Sequence, residues 1–123
     1  MQLSINTDIK SFFRKRLEIL RPFPPYNSLQ KRELDTLALL QYHYYINRDV
    51  EISKRHKLIF DYETMLAIRD ELGLSEASLN NSKLVLRNKG LIDKKSMKAF
   101  LIIDPENTAV NTLKFNFVIN DTE

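Results

Sequence analysis

The chain has 123 residues, with 19 lysines and arginines against 16 aspartates and glutamates, a formal net charge of +3, no cysteine and only two glycines. Such a length suffices for one domain that buries roughly 65 to 70% of the surface its unfolded chain exposes, so no covalent staple is required. The lack of cysteine excludes disulfides and thiolate metal sites, no apolar run approaches the ~18 residues of a membrane span, and MQLSINTDIK lacks a signal-peptide core; a soluble, cytoplasmic protein is expected.

The elements follow in chain order. From about Asp8 to Leu20, residues Ile9, Phe12, Phe13, Leu17 and Leu20 recur at helical spacing. RPFPPYN then ends any helix, because its three prolines remove donors and bias their neighbours toward extended geometry. Ser28 is a candidate cap for a helix reaching about Ile46, with Leu34, Leu37, Ala38, Gln41, Tyr44 and Tyr45 on one face and Leu39, Tyr42 and Ile46 on the other. A helix that is apolar nearly all round has to be covered twice, and the N-terminal helix or a second protein is the expected second cover. Residues 47–60 read as a polar, basic connection of unassigned structure. Asp61 can cap a helix running through Leu72, with Tyr62, Met65, Leu66, Ile68 and Leu72 inward, and Gly73 stands where a left-handed C-terminal cap belongs. Ser75 caps the next helix, Glu76 to Lys89, and Gly90 ends it in the same way.

The two glycines therefore close two successive helices, and the turn Gly73, Leu74, Ser75 between them has helix-turn-helix character. Beyond Gly90 the pattern changes to period two, in LIDKK, KAFLIIDP and TLKFNFVIN, which predicts a basic hairpin with its turn at Ser96 and Met97 and then a further strand. The expected fold is α+β, a winged helix-turn-helix with three core helices over residues 28–123, preceded by an N-terminal helix and proline-rich connector over residues 1–27.

The stretch LGLSEASLNNSKLVLRNKGLI resembles the core of winged helix-turn-helix proteins, in which a serine-capped recognition helix ends in L-x-x-K-G-L-I and turns into the first wing strand. The matching residues are Leu86, Lys89, Gly90, Leu91 and Ile92, with Leu79 buried one turn into the helix. SLQKRELDTLALL resembles the first helix of such domains, and AFLIIDPEN the returning wing strand of plasmid and phage replication and regulatory proteins, including small proteins of large tailed phages. The resemblance covers roughly residues 28–119. It implies double-stranded DNA as partner, a role in replication or transcription control, and a host-cytoplasm location for a phage-encoded chain.

Charge distribution bears on the same question. Lys83, Arg87, Lys89, Lys94, Lys95 and Lys98 face one acid, Asp93; further basic runs lie at Lys10 to Arg21 and at Lys54, Arg55 and Lys57. Such runs are often only solvated faces, so they need a common surface to mean more. With Leu79, Ser82 and Leu86 inward, the outward face of the predicted recognition helix offers Asn80, Asn81, Arg87 and Asn88, residue types that read base edges by directed hydrogen bonds. Ser75 and neighbouring amides would meet a phosphate, Lys83 would lie along the helix edge with its ammonium snorkelling outward, and Lys94, Lys95 and Lys98 would follow the flanking backbone. Lysines on an exposed hairpin also guard against aggregation, which is the competing account of these three. Leu84 and Ala77 depart from a purely polar reading face, and Glu76 is unfavourable near phosphate. The alternative function is accordingly a virion-assembly or protein-interaction component, with Leu39, Tyr42, Ile46 and Leu84 on its contact surfaces and a homodimer or a phage protein as partner.

No enzyme is expected. His43 and His56 lack metal-ligand spacing, there is no glycine-rich phosphate loop and no nucleophile elbow, so neither a metal nor a cofactor is implied. Tyr42, Tyr44 and Tyr45 could stack on bases, but at helical spacing they serve equally as core.

Overall fold

The computed structural model describes residues 3–107, 112 and 116–120. Its elements are α1 (Ile9–Leu20), a 3-10 turn at Tyr26–Ser28, α2 (Lys31–Ile46), α3 (Ile52–Ile59), α4 (Tyr62–Leu72), α5 (Glu76–Asn88) and a second 3-10 turn at Ala99–Leu101.

Local chemistry fixes most helix ends. The Asp8 carboxylate accepts from the Ser11 amide at 2.7 Å at the start of α1, and these bonds hold its pKa below the ordinary value. The Asp61 carboxylate accepts from the Thr64 amide at 2.9 Å, and the Ser75 hydroxyl from the Ser78 amide at 3.1 Å. Gly73 and Gly90 carry φ of +65° and +75°, left-handed geometry that a residue without a β-carbon adopts at no steric cost. In both, the amide one residue further on returns to the carbonyl five positions back, Leu74 to Arg69 at 2.9 Å and Leu91 to Leu86 at 3.0 Å, as in a Schellman closure.

Ser28 does not cap α2. The chain leaving the prolines makes the short 3-10 turn, within which the Ser28 hydroxyl donates to the Pro25 carbonyl at 3.1 Å; the helix starts after Gln30, whose amide donates to the Glu33 carboxylate at 3.3 Å. The expectation of double cover for α2 is met within the chain. Leu34, Leu37 and Leu40 are fully buried, Leu39 and Ala38 nearly so, and α1 lies along α2 with Phe13 and Leu17 buried. The Phe13 and Tyr45 rings meet at 6.1 Å, Arg14 pairs with Asp35 on α2, and Lys10 reaches Glu71 on α4. The Glu71 carboxylate raises the pKa of Lys10.

Two segments differ from expectation. The connection 47–60 contains α3, held by Arg55, whose guanidinium donates to the carbonyls of Arg48 (2.6 Å) and Val50 (2.8 Å) and stacks on Tyr44 at 4.9 Å. A charged side chain turned onto backbone and an aromatic ring supplies the fixation that the sparse apolar pattern did not reveal. In α4, Ile68 is buried but Tyr62 is 76% exposed, so the first residue of the expected inward stripe faces solvent.

The larger correction is to the α+β winged fold: among the described residues the protein is all-helical, with no strand and no sheet. The expected hairpin is reduced to one antiparallel bridge between Ile92 and Met97, closed by hydrogen bonds from the Asp93 amide to the Ser96 carbonyl (2.8 Å) and from the Lys98 amide to the Leu91 carbonyl (3.1 Å). The ladder stops there because Met97 and Leu101 enter the core and the intervening chain coils into a 3-10 turn. Gln41 of α2 then takes the Leu101 carbonyl, its amide donating at 2.8 Å, so that backbone group is satisfied by a helix side chain instead of a neighbouring strand. Met97 is not at the tip of the turn, which is formed by Lys94 and Lys95. Of the expected last strand, 116–120 are described and are not in a strand, while Lys114 and Phe115 lie outside the described residues.

Candidate nucleic-acid interface

The inner stripe of α5 is as the 3.6-residue period requires: Leu79, Ser82 and Leu86 are buried, and the Ser82 hydroxyl is satisfied by donating to the Ser78 carbonyl at 3.1 Å. This stripe packs α5 against α2. Asn80, Asn81 and Asn88 are exposed on the other side, with Glu76, Ala77 and Leu84, while Arg87 is half-buried. Leu84, at 49% exposure, divides the outward polar face.

Lys83 runs back toward α4, its ammonium 3.7 Å from the Met65 sulfur, in a groove lined also by Tyr62, Leu79 and Asn80. Burial, and secondarily the neighbouring Arg87, pushes its pKa down. It is thus less available to an outside phosphate than an exposed lysine. The Ser75 hydroxyl is engaged in the cap and donates to the Ser78 hydroxyl at 3.0 Å, so only backbone amides of that first turn remain for an anion, beside the exposed carboxylate of Glu76.

The turn following α5 separates the three expected lysines. Lys94 and Lys95 are exposed at its tip, whereas Lys98 pairs with Asp93 at 3.2 Å. Behind the turn lies α3. The Met97 amide donates to Nδ1 of His56 at 3.2 Å, and the His56 ring also meets Tyr44 at 5.0 Å. Burial, and then Arg55, lowers the His56 pKa, keeping the ring neutral with Nδ1 as acceptor. The basic helix α3, with Lys54 and Lys57 exposed, is therefore fastened to the lysine turn through a residue that had no role in the sequence reading.

No protein-family model, curated protein or solved structure matches this chain.

The apolar set does not form one free surface. Leu39 is buried, and Tyr42 is half-buried with the Lys10 ammonium 5.8 Å from its ring; Ile46 and Leu84 remain exposed, on α2 and α5 respectively. Tyr44 and Tyr45 are buried, the latter donating its hydroxyl to Glu106 at 3.3 Å, which leaves their ring faces unavailable to bases. His43 is half-buried, and burial lowers its pKa. Among the described residues no three His, Cys, Asp or Glu side chains gather as a metal site, and no helix is long and apolar enough to cross a membrane.

Proposed function

We propose that this protein binds duplex DNA through α5 and the Lys94–Lys95 turn, without catalysis, in replication or transcription control of phage or plasmid type. The observation that carries the reading is that α5 exposes Asn80, Asn81 and Asn88 and that Lys94 and Lys95, exposed and without an ion pair among the described residues, follow in the chain just beyond the Gly90 cap. Directed amide hydrogen bonds on a helix suit base edges in the major groove, and lysines at its end suit the flanking phosphates. The part of the resemblance that supports this is the pair α4 and α5 with its Gly73–Ser75 turn. A wing is no part of it.

Phosphate contacts release counterions, so log affinity falls with log salt by about 0.9 per phosphate neutralised. Changing Lys94, Lys95 and Lys98 to Ala should weaken binding broadly, and because Lys98 is already paired with Asp93 the slope should fall by about two instead of three. Asn80→Ala or Arg87→Ala should in addition alter sequence preference, by roughly 1–3 kcal/mol of discrimination for a bidentate contact. Fluorescence anisotropy on random and selected duplexes measures both. Absence of duplex binding at low salt refutes the reading.

A second reading, a protein-interaction or assembly role, is favoured by one observation, the exposed Leu84 in the middle of the outward face of α5. Leu84→Asp should abolish capture of a partner by that face, with little dependence on moderate salt, whereas DNA affinity should fall only modestly.

A further inference from the structure

The turn that carries Lys94 and Lys95 is held from two sides. Within itself it is closed by the Asp93 amide donating to the Ser96 carbonyl at 2.8 Å and the Lys98 amide donating to the Leu91 carbonyl at 3.1 Å. From α3 it is held by His56, whose Nδ1 accepts from the Met97 amide at 3.2 Å. Met97 is only 3% exposed, and among the described residues its amide has no other acceptor. A ring nitrogen that accepts a hydrogen bond carries no proton of its own, so this bond exists only with the neutral imidazole. An imidazolium donates from both nitrogens; proton uptake would set two N–H groups against each other and leave a buried amide without a partner.

The surroundings of the ring favour the neutral form. His56 is half-buried, and α2 presents the Tyr44 ring to it at 5.0 Å. On α3 itself the Arg55 guanidinium already lies over that same Tyr44 ring, 4.9 Å from its centre, and opposes a second positive charge beside it. The turn brings Lys98, next in the chain to Met97, with its ammonium turned to Asp93 at 3.2 Å. Among the described residues no carboxylate pairs with His56, so no anion steadies its protonated form.

We infer that His56 is a proton-operated latch between α3 and the lysine turn: neutral, it holds the turn against α3, and protonated, it releases it. Leu91 and Ile92 stay buried where the chain leaves α5, so release frees the segment bearing Lys94 and Lys95 and leaves the helices packed. The device is independent of what the turn contacts. Burial, and then Arg55, hold the folded pKa of His56 below 6.5; the latch is therefore closed above that pH and opens as pH falls through 6.5 toward the folded value. In that window the open form binds one proton more than the closed form, and its population should rise by up to about tenfold per pH unit.

The test is nuclear magnetic resonance of the full chain between pH 8 and pH 5. The Met97 amide resonance should move with the same midpoint as the His56 ring, and its protection from deuterium exchange, corrected for the intrinsic pH dependence of exchange, should fall over the same range. His56→Asn sets a carbonyl oxygen in the place of Nδ1 and does not titrate, so its Met97 amide should show no pH response. His56→Phe offers no acceptor and should leave that amide unprotected at every pH, with circular dichroism to confirm folding. His43→Gln removes the other histidine and should leave the Met97 response unchanged. A Met97 amide as protected at pH 5 as at pH 8 beside a protonated His56 overturns the inference. So does a His56 ring that stays neutral down to pH 5, or a pH response of Met97 that survives in His56→Asn.

Discussion

Replacing Gly90 separates backbone geometry from packing, because a β-carbon built there would meet nothing within 4 Å while φ is +75°. The cost of Gly90→Ala is therefore almost wholly conformational: roughly 1–2 kcal/mol for placing an L-residue in the left-handed region, offset by about 0.4–1 kcal/mol from restricting the unfolded chain. The net expectation is a loss of about 1 kcal/mol, or about 4 °C in Tm for a domain of this size. Valine should lose about 2 kcal/mol or more, since a branched β-carbon fits that region worst, and asparagine less than alanine. The alternative to strain is abandoning the bond from Leu91 to Leu86, which positions Leu91 and Ile92 in the core. Urea unfolding at constant m is the assay, with Ser96→Val as a milder control, since the Ser96 hydroxyl makes only a 3.3 Å bond to Asp93. Alanine and valine variants as stable as the wild type, or valine no worse than alanine, would refute the cap as a source of stability.

Deleting residues 1–24 removes Phe13 and Leu17 from α2, and the uncovered face should drive aggregation or a raised mass in light scattering; a truncated chain that stays folded and unchanged in mass would show that α1 is dispensable. His43 and His56 both have folded pKa values below the ordinary 6.5, so the stability tied to their neutral forms is present above that pH and is lost as pH falls through 6.5 toward the folded values. The urea midpoint should thus drop between pH 7.5 and pH 5, and His43→Phe/His56→Phe should flatten that dependence; a midpoint constant over this window in the wild type contradicts it. If α3 shares the phosphate surface, Lys54→Ala/Lys57→Ala should lower the salt slope of duplex binding by about two; an unchanged slope beside normal binding places α3 away from the backbone.

The helices closed by residues a few positions away were legible in the sequence. Asp8, Asp61, Ser75, Gly73 and Gly90 act through contacts within one turn, so local spacing is enough to place α1, α4 and α5. The outward face of α5 was legible for the same reason, as Leu79, Ser82 and Leu86 repeat at the helical period. The rest depends on distant partners. Period two in KAFLIID is not kept, since Ala99 and Phe100 are both exposed and only Leu101 is buried, in a 3-10 turn whose last carbonyl is taken by Gln41, 60 residues away, and no strand forms there. Likewise α3 owes its place to Arg55 on Tyr44 and to His56 on Met97, the latter pair 41 residues apart. Nothing in the spacing of the lysines showed that Lys98 spends its charge on Asp93 while Lys94 and Lys95 do not.

Every other helix rests on α2, and Gln41 on that helix also holds the last 3-10 turn. Its amides can meet solvent only when that whole surround comes away, which amounts to global unfolding. In deuterium exchange α2 should consequently be the slowest element and report the stability of the entire chain, while α3 and the lysine turn, held at the periphery by few bonds, exchange through smaller openings. A ligand that tightens the turn would then slow exchange there long before it altered α2, giving the molecule separate clocks for binding and for folding.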